Sequence, residues 1–138
     1  MGKPQGLSMI QVLILALVVF ALGAGVFLVI REERAQTRDA KRMADMARLS
    51  AAFFELYSTE GSYATAAEGG CTEQGSSVST CNLAAYLPDI ASFKDPKGGA
   101  YIIQGVPGEA SFVVLFTLER SYNFYVAGNH ALTPQGIQ

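Results

Sequence analysis

Apolar and polar positions divide the chain into three regimes. Residues 7–30 hold 20 apolar side chains among 24 and no charge. As a helix this segment spans about 36 Å against about 30 Å of hydrocarbon, so the pattern predicts a helix able to cross a bilayer. Residues 31–57 contain no glycine or proline and are rich in Ala, Arg, Met, Leu and Glu, all good helix formers. One apolar row there runs through Ala40, Met43 or Ala44, Ala47, Ala51 and Phe54, and a second through Met46, Leu49, Phe53 and Leu56. Arg38, Arg42, Asp45, Arg48 and Glu55 form a polar strip between them. Two rows exceed what one sheet covers. One is expected to pack on the chain's own sheet and the other to face neighbouring copies; burial of both within one domain is the alternative. Nothing breaks the pattern between Ile30 and Arg31, which predicts one helix from Leu7 to about Tyr57, about 77 Å long. Gly61 is the candidate C-cap.

Beyond the helix the period changes. Residues 61–82 are rich in Gly, Ser, Thr and Ala and read as irregular surface. Residues 83–88 suggest a helical turn stopped by Pro88, and Asp95-Pro96-Lys97-Gly98-Gly99 is a turn sequence. Residues 101–104, 112–118 and 122–127 read as strands. Phe112, Val114, Phe116 and Leu118 share one face, as do Tyr122, Phe124 and Val126. Short connections make these strands antiparallel neighbours. The predicted fold class is α+β: a long N-terminal helix, transmembrane in its first half, packed on a three- to four-stranded antiparallel sheet. The predicted organisation is a leader at 1–6, an apolar helix at 7–30, a stem helix at 31–60 and a globular head at 61–138.

Charge adds polarity to this plan. Residues 31–48 carry six basic and four acidic side chains, whereas residues 49–138 carry three basic and eight acidic ones. A basic stem under an acidic head argues against general nucleic-acid binding by the head, though it leaves room for a local basic patch. Two cysteines and one histidine are too few for a zinc finger or an iron–sulfur cluster held by this chain alone. Asp89, Asp95, Glu109 and Glu119 show no spacing of an acid/base pair, and no P-loop, nucleophile elbow or metal motif appears. No enzyme activity, cofactor or metal is expected. His130 reads as a surface residue.

The N-terminus carries the most specific local signals. A short polar leader with one lysine, Lys3, ends in Gly6, directly before Leu7-Ser8-Met9-Ile10-Gln11. Gln11 is a polar group one turn inside an otherwise apolar run, and such groups are functional suspects. A cleaved secretory signal fits poorly, because its apolar region is shorter than this one. Downstream, Thr37-Arg38-Asp39-Ala40-Lys41-Arg42-Met43-Ala44-Asp45 leads to Phe54-Glu55-Leu56-Tyr57 and then Gly61-Ser62-Tyr63. Together these features resemble the class III signal and stem of type IV pilins and type II secretion pseudopilins. The resemblance implies cleavage between Gly6 and Leu7 by a prepilin peptidase and methylation of Leu7 as the new N-terminus. It departs from the family at Gln11, where pilins usually have a glutamate that neutralises the terminal amine of a neighbouring subunit. Gln11 accepts a hydrogen bond but carries no charge, which points toward a minor or tip position.

The resemblance implies a structural subunit, homo-oligomeric or hetero-oligomeric with other pilin-like chains. It would be delivered through an inner-membrane assembly platform into a pilus or fimbrium, or into a secretion pseudopilus. The expected location is a single pass of the cytoplasmic membrane with the head outside, then the filament. A static membrane-anchored domain is the rival. Orientation conflicts with the positive-inside rule, since Arg31, Arg34, Arg38, Lys41, Arg42 and Arg48 follow the apolar run and only Lys3 precedes it. Cys71 and Cys81, ten residues apart, fit neither a CxxC redox site nor a zinc half-site. A disulfide is natural for a head outside the cytoplasm, and two unpaired thiols are the alternative. Lys94 to Tyr101 loosely resembles a turn of major pseudopilins, but their calcium site is not expected here, because the tail from Gly128 to Gln138 has no carboxylate side chain.

Overall fold

A computed structural model describes residues 8–138. Gly6 and Leu7, the expected processing and methylation positions, and the leader lie outside the described residues. The chain divides into two compact units, Met1–Ala35 and Gln36–Gln138. Helix α1, Met9–Glu60, contributes to both. It ends where Gly61 adopts φ +73° and its amide donates to the Tyr57 carbonyl at 2.8 Å. A left-handed residue after a helix favours glycine, so the expected cap is present.

In the second unit, α1 packs on a four-stranded antiparallel sheet of order β1-β2-β3-β4. The strands are β1 (Ile102–Gly105), β2 (Val113–Leu118), β3 (Gly128–Thr133) and β4 (Gly136–Ile137). The fold class is the expected α+β layout. Of the two apolar rows on the stem, Met46, Leu49, Phe53 and Leu56 are buried, whereas Ala44, Ala47, Ala51 and Phe54 stay exposed. The buried row meets Ile103, Phe112, Val114, Phe116, Leu118 and Leu132 in one core. Period-2 alternation puts Val114, Phe116 and Leu118 on the helix side of β2, with Val113 and Leu115 half-buried opposite. Phe53 stacks on Phe112 with ring centroids 3.9 Å apart, and Tyr63 meets both rings edge-on.

The irregular segment after α1 is built into this core rather than laid on the surface. Cys71 and Cys81 form a disulfide, and both are buried beside Ala66, Val78 and Leu83. The bond closes a short loop, which the chain-entropy account values at about 3 kcal/mol. Gly70 beside it allows close backbone approach: a Cβ there would lie 1.6 Å from the Thr80 carbonyl oxygen. Residues 75–78 then run along the outer edge of β1, with the Gly75 and Val78 amides donating to Ile103 and Tyr101 carbonyls. That pairing protects an otherwise open sheet edge.

Two further expectations are corrected. Residues 122–127 are not a strand. They form a tight turn in which Tyr122 and Tyr125 exchange backbone hydrogen bonds around Asn123, which has φ +52°. Phe124 at its tip is 99% exposed. The third strand is supplied by the tail instead, and Thr133-Pro134-Gln135-Gly136 turns the chain into β4. His130, expected at the surface, is 9% exposed within β3. Its Nε2 lies 2.7 Å from the Val126 carbonyl and its Nδ1 3.2 Å from the Gln138 carbonyl, with Phe116 and Tyr125 rings against it. Within the polar strip, Arg42 and Asp45 are buried.

Candidate assembly surface

The first unit offers an unbroken apolar surface. From Met9 to Ile30 every large hydrophobic side chain is exposed, on all sides of the helix. The helix is long and apolar enough to cross a membrane. In water such a surface would cost about 25 cal/mol for each Å² left uncovered, so lipid or other helices must cover it. Gly23 and Gly25 are helical, and nothing lies within 4 Å of where their Cβ atoms would be. They flatten the surface locally, which permits close approach of another backbone.

Gln11 lies in the first turn of α1, and the structure gives it a partner in its own chain. The Ser8 amide donates to Gln11 Oε1 at 2.9 Å, and the Gln11 amide reaches back to Ser8 Oγ at 3.4 Å. Ser8 and Gln11 thus form a reciprocal capping box, which satisfies two of the amides that a helix start leaves open. The S-x-x-Q signature was legible in Ser8-Met9-Ile10-Gln11 and supplies a local role for a residue first singled out for assembly. It uses one of the two lone pairs of Gln11 Oε1.

Within the second unit a charged cluster fastens the stem to the sheet. Arg42 is 3% exposed and sits at its centre. Its guanidinium donates to both oxygens of Asp95, to Asp39 Oδ1 at 2.7 Å and to Glu119 Oε1 at 2.8 Å. Asp39, 1% exposed, also accepts the backbone amides of Glu119 and Arg120 at 3.0 and 2.8 Å. Glu119 is held further by Arg38 and Lys97. Asp45 accepts from Lys41 at 2.6 Å and from the buried Tyr101 hydroxyl at 2.9 Å. No buried side-chain polar atom lacks a partner among the described residues, as burial of charge requires.

This network shifts its members. Hydrogen bonding from Arg38, helped by Lys97 and Arg42 and opposed by burial, holds the Glu119 carboxyl well below the usual carboxylate range. Burial alone would raise Asp95, but the Arg42 hydrogen bonds and the Lys97 amide outweigh it and lower its pKa. Burial, and then the hydrogen bond to Asp45, push the Tyr101 hydroxyl far up. The Asp39–Arg42 pair, three apart on one helix, was visible in sequence; Asp95 and Glu119 were not, because only the tertiary fold brings them there.

The described residues therefore define an α+β unit joined to an apolar helix able to span a membrane, an architecture compatible with a pilin-like fold. No family model, curated protein or solved structure matches the chain.

Proposed function

We propose that this chain is a structural subunit of a type IV pilus-like surface filament. A prepilin peptidase cuts after Gly6, Leu7 is methylated, and the mature subunits leave the cytoplasmic membrane through an assembly platform. The observation that carries this reading is the helix from Met9 to Ile30, whose large hydrophobic side chains are exposed all round. A plain anchor needs that surface only for lipid. A filament subunit exchanges lipid for the same surface of other copies, and the exposed row of Ala44, Ala47, Ala51 and Phe54 extends a contact face along the stem. The leader and stem resemblance given above supports the same reading, and the buried disulfide suits a head outside the cytoplasm.

A minor or tip subunit, or a pseudopilin, is the second reading, and the uncharged Gln11 favours it. A charged terminal amine buried among neighbouring helices needs an anion or a strong acceptor. Gln11 is uncharged, so it can accept a hydrogen bond from that amine but cannot neutralise it. The test is mass spectrometry of the N-terminus in membranes and in sheared surface material. Methylated Leu7 in the sheared fraction is the expected result. Leu7 as N-terminus but absent from that fraction would assign a pseudopilin or minor subunit, and an intact Met1 leader confined to membranes would leave a static anchored domain.

A further inference from the structure

The second unit holds a lysine with no ion-pair partner among the described residues, Lys94, in a groove whose other cations, Lys41, Arg48 and Lys97, pair with Asp45, Asp89 and Glu119. This groove of about 430 Å³ lies between α1 and residues 89–98, lined by Lys41 and Arg48 from the helix and by Lys94 and Lys97 from the turn, with Asp89 and Asp95. Residues 49–138 contain only three cations, and two of them line this groove. Lys94 is exposed and has no ion-pair partner among the described residues. Glu55, Glu60, Glu68, Glu73 and Glu109 have no ion-pair partner among the described residues. Glu55 and Glu60 stand on the last turns of α1. Glu68 follows the first 3-10 turn, and Glu109 follows Gly108, whose carbonyl takes the Tyr63 amide just past the helix. Glu60 lies 12 residues beyond Arg48 and 19 beyond Lys41, roughly 18 to 28 Å along the helix.

The acidic end breaks a local rule. The last turn of α1 has no basic residue, yet the open carbonyls of a helix C-terminus already carry partial negative charge. Glu55 and Glu60 add to that charge and find no cation within the described unit. A local conflict without internal compensation suggests a partner outside the chain.

We infer that the acidic end of one copy, carrying Glu60 and Glu109, docks at the Lys94–Lys97 groove of the next. The inference rests on the filament reading and deepens it by naming the head surfaces that meet. A groove on one flank and a complementary patch at the other end make a heterologous contact, which propagates as an open helical array unless its rotation closes a ring. Exposed ion pairs are individually weak and screened by salt, so this contact sets register and rise while the apolar helices supply the attraction.

Zero-length carbodiimide coupling tests it, because that reagent joins an amine to a carboxylate only in direct contact. It is applied to full-length chain in native membranes and in sheared material, with isotopically heavy and light subunits mixed. Heavy-to-light links from Lys94 to Glu60 or Glu109 are expected, falling several-fold in molar salt, while Lys97 couples within its own chain to Glu119. Lys94→Glu should lower filament yield several-fold without changing disulfide content, and adding Glu60→Lys should restore it. Filaments without such links, or Lys94→Glu assembling at the parental level, would overturn the contact. So would inorganic phosphate shielding Lys94 from acylation where no links form between copies, which would make the groove an anion site instead. An unprocessed parental chain would sink the filament reading alone, since coupling in membranes reads the head contact directly.

Discussion

Arg42 shows how much one side chain does in this fold. It is buried on the helix face that meets the sheet, yet it is charged, and it survives there because three carboxylates from different segments surround it. Those carboxylates in turn tie α1 to the residue 95 turn and to the end of β2. Replacing Arg42 with Met keeps the volume but leaves Asp39 buried without its cation. Removing one partner of a buried ion pair costs about 3 kcal/mol or more, because the remaining charge is stranded. Arg42→Met is therefore expected to lower the unfolding free energy by about that amount. Arg42→Lys should recover only part of it, since a single ammonium cannot serve Asp95 with two hydrogen bonds while also reaching Asp39 and Glu119. Thermal melts of the detergent-solubilised chain, followed by circular dichroism, check both. A melt unchanged in Arg42→Met would show that the cluster contributes nothing net.

Between elements, the same cluster makes the stem–sheet junction sensitive to acid. Glu119 and Asp95 both have folded-state pKa values below those of the unfolded chain. The unfolded state therefore binds protons first as pH falls. The stabilisation is fully present above the unfolded values of about 4 and is lost as pH drops through the lower folded values. Melting temperature should be flat from pH 7 to about 5 and fall progressively below about 4, and Glu119→Gln should blunt that fall. An equal acid dependence in Glu119→Gln would remove this carboxylate from the account. The strands invite a separate check. Hydrogen exchange should find the amides of the β3 core slow and those of Asn123 and Phe124 fast. Phe124→Ser should alter stability by less than about 0.5 kcal/mol, while Leu132→Ala costs about 2–5 kcal/mol. The sequence carried most of this architecture. The 3.6-residue period separated the buried stem row from the exposed one, and Gly61 marked the helix end. It misled at Tyr122-Asn123-Phe124-Tyr125, where alternating aromatics imitate a strand although Asn is a residue that accepts the left-handed backbone of a tight turn. The competing turn, Thr133-Pro134-Gln135-Gly136, was written in Pro and Gly but flanked by a weakly apolar strand. Burial of His130 was illegible, because the carbonyls and rings that receive it come from Val126, Gln138, Phe116 and Tyr125.

At the scale of the whole molecule, the hydrophobic core and the exposed apolar helix surface belong to different parts of one chain. Every buried residue of the hydrophobic core lies between Met46 and Leu132. None of the residues from Met9 to Ile30 is buried. The core of the second unit, whose boundary falls at Gln36, is built from that unit's own residues. A chain that starts at Gln36 should fold by itself, form the Cys71–Cys81 bond, and melt within a few degrees of the full-length protein in detergent. It should also be monomeric and absent from membranes, because about 20 apolar residues that hold a chain in a bilayer have gone. Sedimentation and thiol labelling of the truncated chain decide the matter. Insolubility or a melt lowered by tens of degrees would mean that the first unit stabilises the second, and folding and assembly would then be one process. Independent folding gives the opposite logic. On the filament reading proposed above, a head complete by itself would oxidise its cysteines outside the cytoplasm and wait in the membrane, while the helix surface stays free to exchange lipid for neighbouring copies.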